Sequence, residues 1–263
     1  MDLIGRSSVI HIGTSGFSYK DWVGPYYPAE LPKARWLAFY AREFPTTEVN
    51  FTYYRLPDAG TLAAMADKTP DDFLFTVKAS KELTHERDGS VQAFPKFVHA
   101  LRPLIDRKKF GCVLAQFPYS FRPSAENRDY VKAFRELMTD LPVVVEFRNA
   151  QWLSAESFAL LEENKLGFCC VDQPRLKGLI PPVATATGSV AYVRFHGRNA
   201  RKWWRHDEAW ERYDYSYSKE ELEEWVPKIK DLDAKAEHTF VFANNHWRGQ
   251  AVDTARQLRL LLL

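Results

Sequence analysis

The sequence is poor in cysteine, unbiased in charge and free of long apolar runs, and each of these shortages excludes a class of protein. Its 263 residues include only three cysteines, Cys112, Cys169 and Cys170. They form no C-x-x-C pair and no Cys/His ligand spacing, which excludes a disulfide framework and disfavours a structural zinc site. With 36 basic and 34 acidic residues the net charge is +2, which gives no support to nonspecific nucleic-acid binding.

Long apolar segments are also missing. No run approaches the roughly 18 apolar residues of a membrane span, and the first residues lack the apolar stretch of a signal peptide. We therefore expect no membrane partner and a cytoplasmic location. Hydrophobic residues at 46% and charged residues at 27% are typical of a globular protein. No linker, low-complexity segment or clear repeat divides the chain, so we predict a single domain over residues 1–263.

Short runs rich in Val, Ile, Phe and Leu alternate with amphipathic stretches along the whole sequence. The runs predict strands at 9–15, 46–54, 73–79, 111–117, 142–148, 167–172, 189–197 and 238–245. The amphipathic stretches predict helices at 31–43, 58–68, 91–107, 123–138, 154–165, 218–235 and 249–262, with no clear helix between the sixth and seventh strands. Strict alternation of apolar strands and helices over about 250 residues predicts the α/β class and a closed (β/α)8 TIM barrel. A doubly wound open sheet is the alternative, but GTSG at 13–16 lacks the G-x-G-x-x-G spacing of such folds.

Nearly every predicted strand ends in polar residues, at the end where TIM barrels carry their catalytic groups. Side chains two residues apart share a face of a strand, so Glu146 points with Arg148, and Arg194 with His196. Isolated buried charges are too costly to be scattered there without partners, so we expect these side chains to converge on one mouth. The predicted catalytic residues are Glu48, Lys78, Glu146, Arg148, Asp172 and His196. The predicted substrate-binding residues are Ser15, Asn50, Tyr53, His85, Gln116, Trp152, Arg194, Arg198, Asn244 and Asn245.

The residue types suggest roles for this set. Glu146 or His196 is expected to be the general base or acid, with Arg148, Arg194 and Lys78 stabilising an oxyanion or phosphate. Structural roles stay open beside these, because Glu146 and Arg148 equally fit an ion pair that closes the barrel top. His196 also fits a hydrogen-bonded structural residue. Lys78 also fits a Schiff-base amine, although the sequence shows no specific desolvation of it.

Basic residues are concentrated after the seventh and eighth strands, where TIM barrels commonly hold phosphate. We therefore predict a small-molecule substrate that carries a phosphate or carboxylate. The alternative is an ordinary solvated basic face, offset by nearby acidic residues. The residues concerned are Arg194, Arg198, Arg201, Lys202, Arg205 and Arg248.

The segment 197–217 is long for a connection and holds three Trp and three Tyr. It fits a lid or a stacking platform, and equally a static cover whose rings pack onto the barrel mouth. Base stacking on Trp203, Trp204 and Trp210 would make the protein a nucleic-acid-binding or nuclease-like protein, which is the alternative function.

No cofactor is predicted from the sequence. A divalent metal is the low-ranking alternative, because its ligands would come from different strands and no local spacing of the H-E-x-x-H kind supports it. The ligand types available are Glu48, Glu146, Asp172 and His196.

A set of short motifs extends from the first strand to the eighth: IGTSGFSYKDWVGPYYP (12–28), TTEVNFTYYRLP (46–57), FTVKAS (75–80), THE (84–86), QFP (116–118), VVVEFRNAQW (143–152), YVRFHGRN (192–199), YDYSYS (213–218) and FANN (242–245). As a set, these motifs resemble the domain of unknown function family 72, the YecE-like proteins. The resemblance implies a TIM barrel, in agreement with the strand count, and implies no particular reaction. From the strand-end residues we expect an enzyme of the hydrolase, lyase or isomerase kind, with a non-catalytic ligand-binding barrel as a further alternative.

Overall fold

Eight parallel strands close into a barrel in the order in which they occur in the chain. A computed structural model describes residues 10–87 and 90–263. The strands are β1 (Ile10–Ser15), β2 (Thr46–Val49), β3 (Leu74–Lys78), β4 (Phe110–Gln116), β5 (Val143–Glu146), β6 (Gly167–Asp172), β7 (Val190–Phe195) and β8 (His238–Ala243). The pairing of β1 with β8 closes the sheet and confirms the predicted TIM barrel. Residue 9, the predicted start of the first strand, lies outside the described residues.

Helices cover the outside of this barrel. They are α1 (Trp36–Tyr40), α2 (Ala59–Ala66), α3 (Ala93–Asp106), α4 (Ala125–Leu137), α5 (Ala155–Glu163), α6 (Lys219–Glu223), α7 (Val226–Asp233) and α8 (Gln250–Leu262). The connection between β6 and β7, all of which is described, contains no helix, as the sequence predicts. Among the described residues, none of these helices has both the length and the apolar character needed to cross a membrane.

Helix starts follow the capping residues that the sequence offers. Ser124 and Ser154 accept backbone N–H groups at the start of α4 and α5. Ser218 and Glu221 form the reciprocal capping box at the start of α6. These caps explain why the starts of the three helices lie close to those predicted.

Several predicted elements differ from expectation. The helix predicted at 31–43 is reduced to α1 (Trp36–Tyr40), with a 3₁₀ turn at Lys33–Arg35 before it. The strand predicted to run to residue 54 ends at Val49, because Asn50 has a helical backbone conformation and Phe51–Tyr53 form a 3₁₀ turn. The helix predicted at 218–235 is divided into α6 and α7, and Pro227 lies in the first turn of α7. Proline is well suited to a first turn and poorly suited to a helix interior, so the division follows from its position.

Inside the barrel, a layer of aromatic rings lies below the polar residues at the C-terminal ends of the strands. Tyr192 packs against Phe240 and Phe242 inside the barrel. Above this aromatic layer, alternate residues of the same strands are charged or polar, and they form the candidate site.

Candidate functional site

A buried arginine joins two strands at the top of the barrel. Arg194, from β7, donates through Nη1 to Glu146 Oε2 at 2.6 Å and through Nη2 to Glu48 Oε1 at 2.7 Å. Both carboxylates are fully buried, and Arg194 is 1% exposed. The second oxygen of Glu48 accepts the Tyr192 hydroxyl at 2.7 Å, which in turn accepts the hydroxyl of Thr76. Glu48 is therefore held by an arginine on one side and a tyrosine on the other.

Glu146 is held just as closely. Its Oε1 lies 2.8 Å from Arg148 Nε and 3.2 Å from His196 Nε2. Burial alone would raise the pKa of Glu146, but Arg148, Arg194 and His196 hold that pKa well below its usual range. Glu146 is thus an anion locked between cations, which suits charge stabilisation and not proton abstraction from a substrate.

His196 lies behind this carboxylate and is completely buried. Burial, with a further contribution from Arg148, lowers the pKa of His196 to about 3, so the ring is neutral at pH 7. Its Nδ1 lies 2.9 Å from Asn244 Nδ2, which places the ring proton on Nε2 facing Glu146. This geometry does not support the expectation that Glu146 or His196 is the general base, because the two groups face each other.

Lys78, at the end of β3, differs from these groups. Its ammonium lies 4.5 Å from the ring centre of Tyr53, and among the described residues no carboxylate pairs with it. Burial, and then the charge of Arg194, lower the pKa of Lys78 to about 7 despite the attraction of Glu146. At neutral pH a substantial fraction of the molecules therefore carries Lys78 as the uncharged amine.

An open cavity with two adjoining lobes lies over these residues. The first lobe has a volume of about 530 Å³ and reaches the buried pair of Glu48 and Arg194. The second has a volume of about 310 Å³ and is lined partly by aromatic rings. Both volumes fall in or near the range of small-molecule sites. The residues shared by the two lobes are Tyr53, Tyr54, Lys78, Arg148 and Tyr213.

Most of the predicted binding residues line this cavity. Asn50, Tyr53, Arg194 and Asn244 contribute to the first lobe, and His85 and Gln116 contribute to the second. Ser15 lies beneath the first lobe, where its hydroxyl is 3.4 Å from Arg194 Nη2. The convergence predicted from the strand ends is therefore seen for these residues.

Four predicted residues lie elsewhere. Asp172 faces the helices outside the barrel, where it accepts a two-pronged contact from Arg198 at 2.9 and 2.7 Å and the Trp225 indole N–H at 2.7 Å. Trp152 stacks on Phe147 behind β5. Asn245 bonds to the hydroxyl of Thr254 and to the backbone oxygen of Tyr215. These contacts make Asp172, Arg198, Trp152 and Asn245 structural residues, which corrects their placement at the mouth.

The basic loop residues also differ from the expectation. Arg198 is committed to Asp172, Glu221 and Glu224, and Lys202 pairs with Glu211 at 3.0 Å. The cations that line the first lobe are Lys78, Arg148 and Arg194, which come from three different strands or strand ends, and Arg212 of the loop after β7 lines the second lobe. The candidate anion site therefore lies inside the mouth, with Arg212 as the loop cation that borders it.

The segment 197–217 lies over the mouth and is tied down along its length. Asn199 Nδ2 donates to the backbone oxygens of Glu211 and Asp214, and the Asp214 carboxylate accepts from Gln250. Trp203 is buried, and Trp210 stacks on Trp247 at 3.6 Å. Of the three tryptophans considered for base stacking, Trp204 alone is exposed. The segment forms part of the cavity wall, and several of its rings pack against other side chains of the protein.

The residues considered as metal ligands are not gathered into a site. Glu48 and Glu146 are occupied by arginines, and Asp172 faces away from them. Within residues 10–87 and 90–263, no group of three or more His, Cys, Asp or Glu side chains is arranged to hold a metal ion.

Several cavity residues were not singled out from the sequence. Tyr192 supports Glu48, and its position two residues before Arg194 puts it on the same inward face, a signal that sequence reasoning had available. Tyr19 and His246 stack at 4.6 Å on the wall of the first lobe, and Tyr213 lies between the lobes. These rings lie on loops, where no periodicity indicates their direction.

The fold and the site together define a TIM-barrel protein whose C-terminal mouth carries a buried ion-pair cluster beneath an open cavity. The chain belongs to the family described as protein of unknown function DUF72, whose profile matches residues 11–263. This confirms the resemblance seen in the motifs.

Relatives of known sequence or structure agree with this assignment. The UPF0759 protein YunF of Bacillus subtilis (strain 168) is 31% identical over 270 residues, which cover 97% of this chain and 95% of that protein. The crystal structure of a DUF72 family protein from Thermotoga maritima MSB8 is 38% identical, with a TM-score of 0.89 over 96% of this chain and 98% of its own. A DUF72 family protein from Enterococcus faecalis V583 is 26% identical, with a TM-score of 0.86 over 97% of this chain and 95% of its own.

Proposed function

We propose that this protein is an enzyme that acts on a small molecule bearing a carboxylate or phosphate, with Lys78 transferring protons at the barrel mouth. The observation that carries the proposal is the position of the Lys78 amine. It lines an open cavity beside Arg148 and Arg194, and no carboxylate among the described residues pairs with it.

The charges of the mouth favour an anionic ligand. Glu48 and Glu146 are balanced by Arg194 and Arg148, so a protonated Lys78 leaves the cluster with an excess positive charge. Arg148 lines both lobes and has guanidinium N–H groups beyond the Nε that faces Glu146. A preorganised cation of this kind stabilises a carboxylate, a phosphate or a developing oxyanion.

Lys78 is proposed as the main acid–base group because, of Lys78, His85 and His196, its pKa lies nearest to neutral pH. Burial lowers the pKa of His85 to about 4 and that of His196 to about 3. The pKa of Lys78, lowered to about 7 chiefly by burial, is the one that matches the pH of a cell interior. General acid–base catalysis is most efficient when the pKa of the group lies near the operating pH.

The proposal is tested by incubating the purified protein with an extract of small metabolites and following the mixture by mass spectrometry. We expect the wild-type protein to consume an anionic compound and Lys78→Met to consume it at least about a hundredfold more slowly. Arg148→Met should raise KM by roughly tenfold or more, since a charge-assisted contact is lost. Lys81→Met is the matched control, because Lys81 is an exposed lysine paired with Glu86 and should leave the rate unchanged. Equal consumption by the wild-type and Lys78→Met proteins, or no consumption of any anionic compound, would contradict the proposal.

A further inference from the structure

We infer that Lys78 condenses with the carbonyl group of its substrate to form an imine, so that the substrate class is an aldehyde or ketone carrying a carboxylate or phosphate. This inference rests on the proposed function for its site and its anionic substrate, and it replaces simple proton transfer by Lys78 with attack of the same amine on a carbonyl group. It assigns covalent chemistry to Lys78 and a chemical class to the molecule that it binds.

The first observation is that the two buried glutamates of the mouth pair with arginines and not with Lys78. Arg194 takes one oxygen of Glu48 and one of Glu146, at 2.7 and 2.6 Å. Arg148 lies at 2.8 Å from the other oxygen of Glu146. With both anions committed to arginines, neither forms an ion pair with the Lys78 ammonium within the described part of the chain.

A buried lysine elsewhere in the chain shows what a structural lysine looks like. Lys109 is 4% exposed, and its Nζ donates to the backbone oxygens of Ala66 and Thr69, each at 2.8 Å. It ties the end of α2 to β4 and lines neither lobe of the mouth cavity. The Nζ of Lys78 instead faces an aromatic ring and lines both lobes. The contrast assigns Lys78 to ligand chemistry and Lys109 to packing.

The surroundings of Lys78 also supply the free amine that attack on a carbonyl requires. Burial lowers the pKa of Lys78 to about 7, and Arg194 lowers it further than Glu146 restores it. At pH 7 the uncharged fraction is roughly a thousandfold greater than for an ordinary lysine with a pKa near 10.4. Lysines desolvated beside another cation are activated as nucleophiles in this way. The charged groups that act on it come from β2, from β5 and the residues just after it, and from β7: Glu48, Glu146, Arg148 and Arg194.

His85 provides a proton acceptor on the same wall. Thr84 Oγ1 donates to the Ser80 backbone oxygen, so its 2.9 Å contact with His85 Nδ1 requires that Nδ1 donate. The Nε2 atom then carries a lone pair. The ring of His85 meets the Tyr53 ring edge-on at 5.1 Å, and Tyr53 is the ring that lies against Lys78 Nζ. His85 and Lys78 both line the second lobe.

The chemistry is balanced without any oxidant or reductant. The Lys78 nitrogen lone pair attacks the carbonyl carbon, a C–N bond forms, and the carbonyl π electrons move to oxygen. His85 Nε2 accepts a proton from nitrogen and returns it to that oxygen, giving a carbinolamine. One further proton from solvent allows the C–O bond to break, so water leaves and a protonated imine remains. Arg148, which lines both lobes, is placed to hold the carboxylate or phosphate of the bound molecule.

The test traps the imine by reduction. The full-length protein is incubated with pyruvate or with glycolaldehyde phosphate in the presence of sodium cyanoborohydride, and the modified residue is mapped by peptide mass spectrometry. We expect residue 78 to be modified at least tenfold faster than any surface lysine, with a rate that rises with pH to a plateau above a midpoint near 7. Lactate, which lacks the carbonyl group, should give no adduct. Lys81→Arg should retain the adduct and Lys78→Arg should lose it.

A second variant and a second ligand measurement separate this inference from the proposed function. His85→Asn should slow trapping severalfold, whereas Lys81→Met should leave both the trapping rate and the affinity for inorganic phosphate, measured by calorimetry, within twofold of wild type. Phosphate binding that depends on Arg148, or consumption of an anionic metabolite that depends on Lys78, combined with no adduct at residue 78, would overturn the imine and leave the proposed function standing. Modification spread evenly over surface lysines would also overturn it. Site mapping on the wild-type protein gives this result even if a variant fails to fold.

Discussion

The ion-pair cluster at the barrel mouth predicts a large loss of stability when its central cation is removed. In Arg194→Met, Glu48 loses its cationic partner at 2.7 Å and stays fully buried, while Glu146 keeps Arg148. Breaking a buried ion pair from one side costs about 3–5 kcal/mol in free energy of unfolding. For a chain of this length that corresponds to a fall in Tm of roughly 10 °C. Urea unfolding followed by tryptophan fluorescence gives the free-energy difference directly.

The same cluster predicts that a second substitution restores stability. Glu48→Gln combined with Arg194→Met removes one negative and one positive charge together, and the remaining Glu146–Arg148 pair is neutral as a whole. We therefore expect the double variant to be more stable than Arg194→Met alone, by about 2 kcal/mol, since the unpaired buried charge has been removed. The double-mutant cycle isolates the pair from the packing that each side chain also contributes.

An exposed pair of the same kind serves as the control. Arg256 contacts Glu43 with two hydrogen bonds, at 2.6 and 3.0 Å, but its side chain is 45% exposed. Arg256→Met should cost less than about 1 kcal/mol, because water screens the pair. If Arg194→Met costs no more than Arg256→Met, or if the effects of the two substitutions at the mouth simply add, the reasoning about buried charge is refuted.

Three further outcomes follow from other contacts. Lys109→Met should destabilise the protein by about 2–3 kcal/mol in urea unfolding, because two buried carbonyl groups lose their donor. Asp172→Asn should lower the free energy of unfolding by about 2–4 kcal/mol. The same substitution should leave the affinity of the mouth for phosphate unchanged. A loss of phosphate affinity in calorimetry without a loss of stability would contradict the structural role of Asp172 and indicate that it belongs to the site. The pKa of Glu146 in the folded protein lies well below its value near 4.3 in the unfolded chain. The contribution of Glu146 to the free energy of unfolding is therefore fully present above about pH 4.3, and it is lost as the pH falls through the pKa of the folded protein. Acid titration by circular dichroism should show this loss below about pH 4, and a Glu146→Gln protein should show less of it.

The fold was predictable because its signals are repeated along the chain. Eight apolar runs of strand length, each followed by a polar break, indicate parallel strands covered on both faces, and the serine caps mark where helices start. The strand predicted at 46–54 is shorter in the structure. The β-branched and aromatic residues at 51–54 favour a strand locally, but they are also compatible with the 3₁₀ turn that they form at the mouth. Tertiary packing overrides local propensity at such places.

The candidate site was predictable where its residues lie two positions apart on one strand and therefore share a face. Arg148 lies on the same face as Glu146 and contacts it, and Arg194 and His196, which share a face of β7 and its end, both contact Glu146. Asp172 was misplaced because the run GFCCVD is apolar on both faces and its direction cannot be read. In the structure Cys169 faces Glu146 inside the barrel, so Asp172, three residues later, faces outside.

The alternation of side-chain direction also stops predicting orientation beyond the end of a strand. Gly197 has a φ of +86°, which turns the chain away from the barrel axis, and Arg198 therefore reaches the outer helices. A glycine in this left-handed conformation is a local signal that alternation has stopped. The direction of Arg198 depends on this turn and on Asp172, which lies 26 residues earlier in the chain.

The stability of the cluster and the reactivity of Lys78 are linked through Arg194. By pairing with both glutamates, Arg194 keeps them from Lys78, and its own charge lowers the pKa of that amine. Removing Arg194 both frees Glu48 and takes away a neighbouring cation, and each change favours the ammonium form. In Arg194→Met the pH midpoint for reductive trapping at residue 78 should therefore move above 7, and the trapping rate at pH 7 should fall by tenfold or more. The double variant with Glu48→Gln removes the freed carboxylate and should recover part of that rate. A midpoint that stays at 7 in both variants would show that burial alone sets the state of Lys78 and that the ion pairs serve only to hold the barrel together.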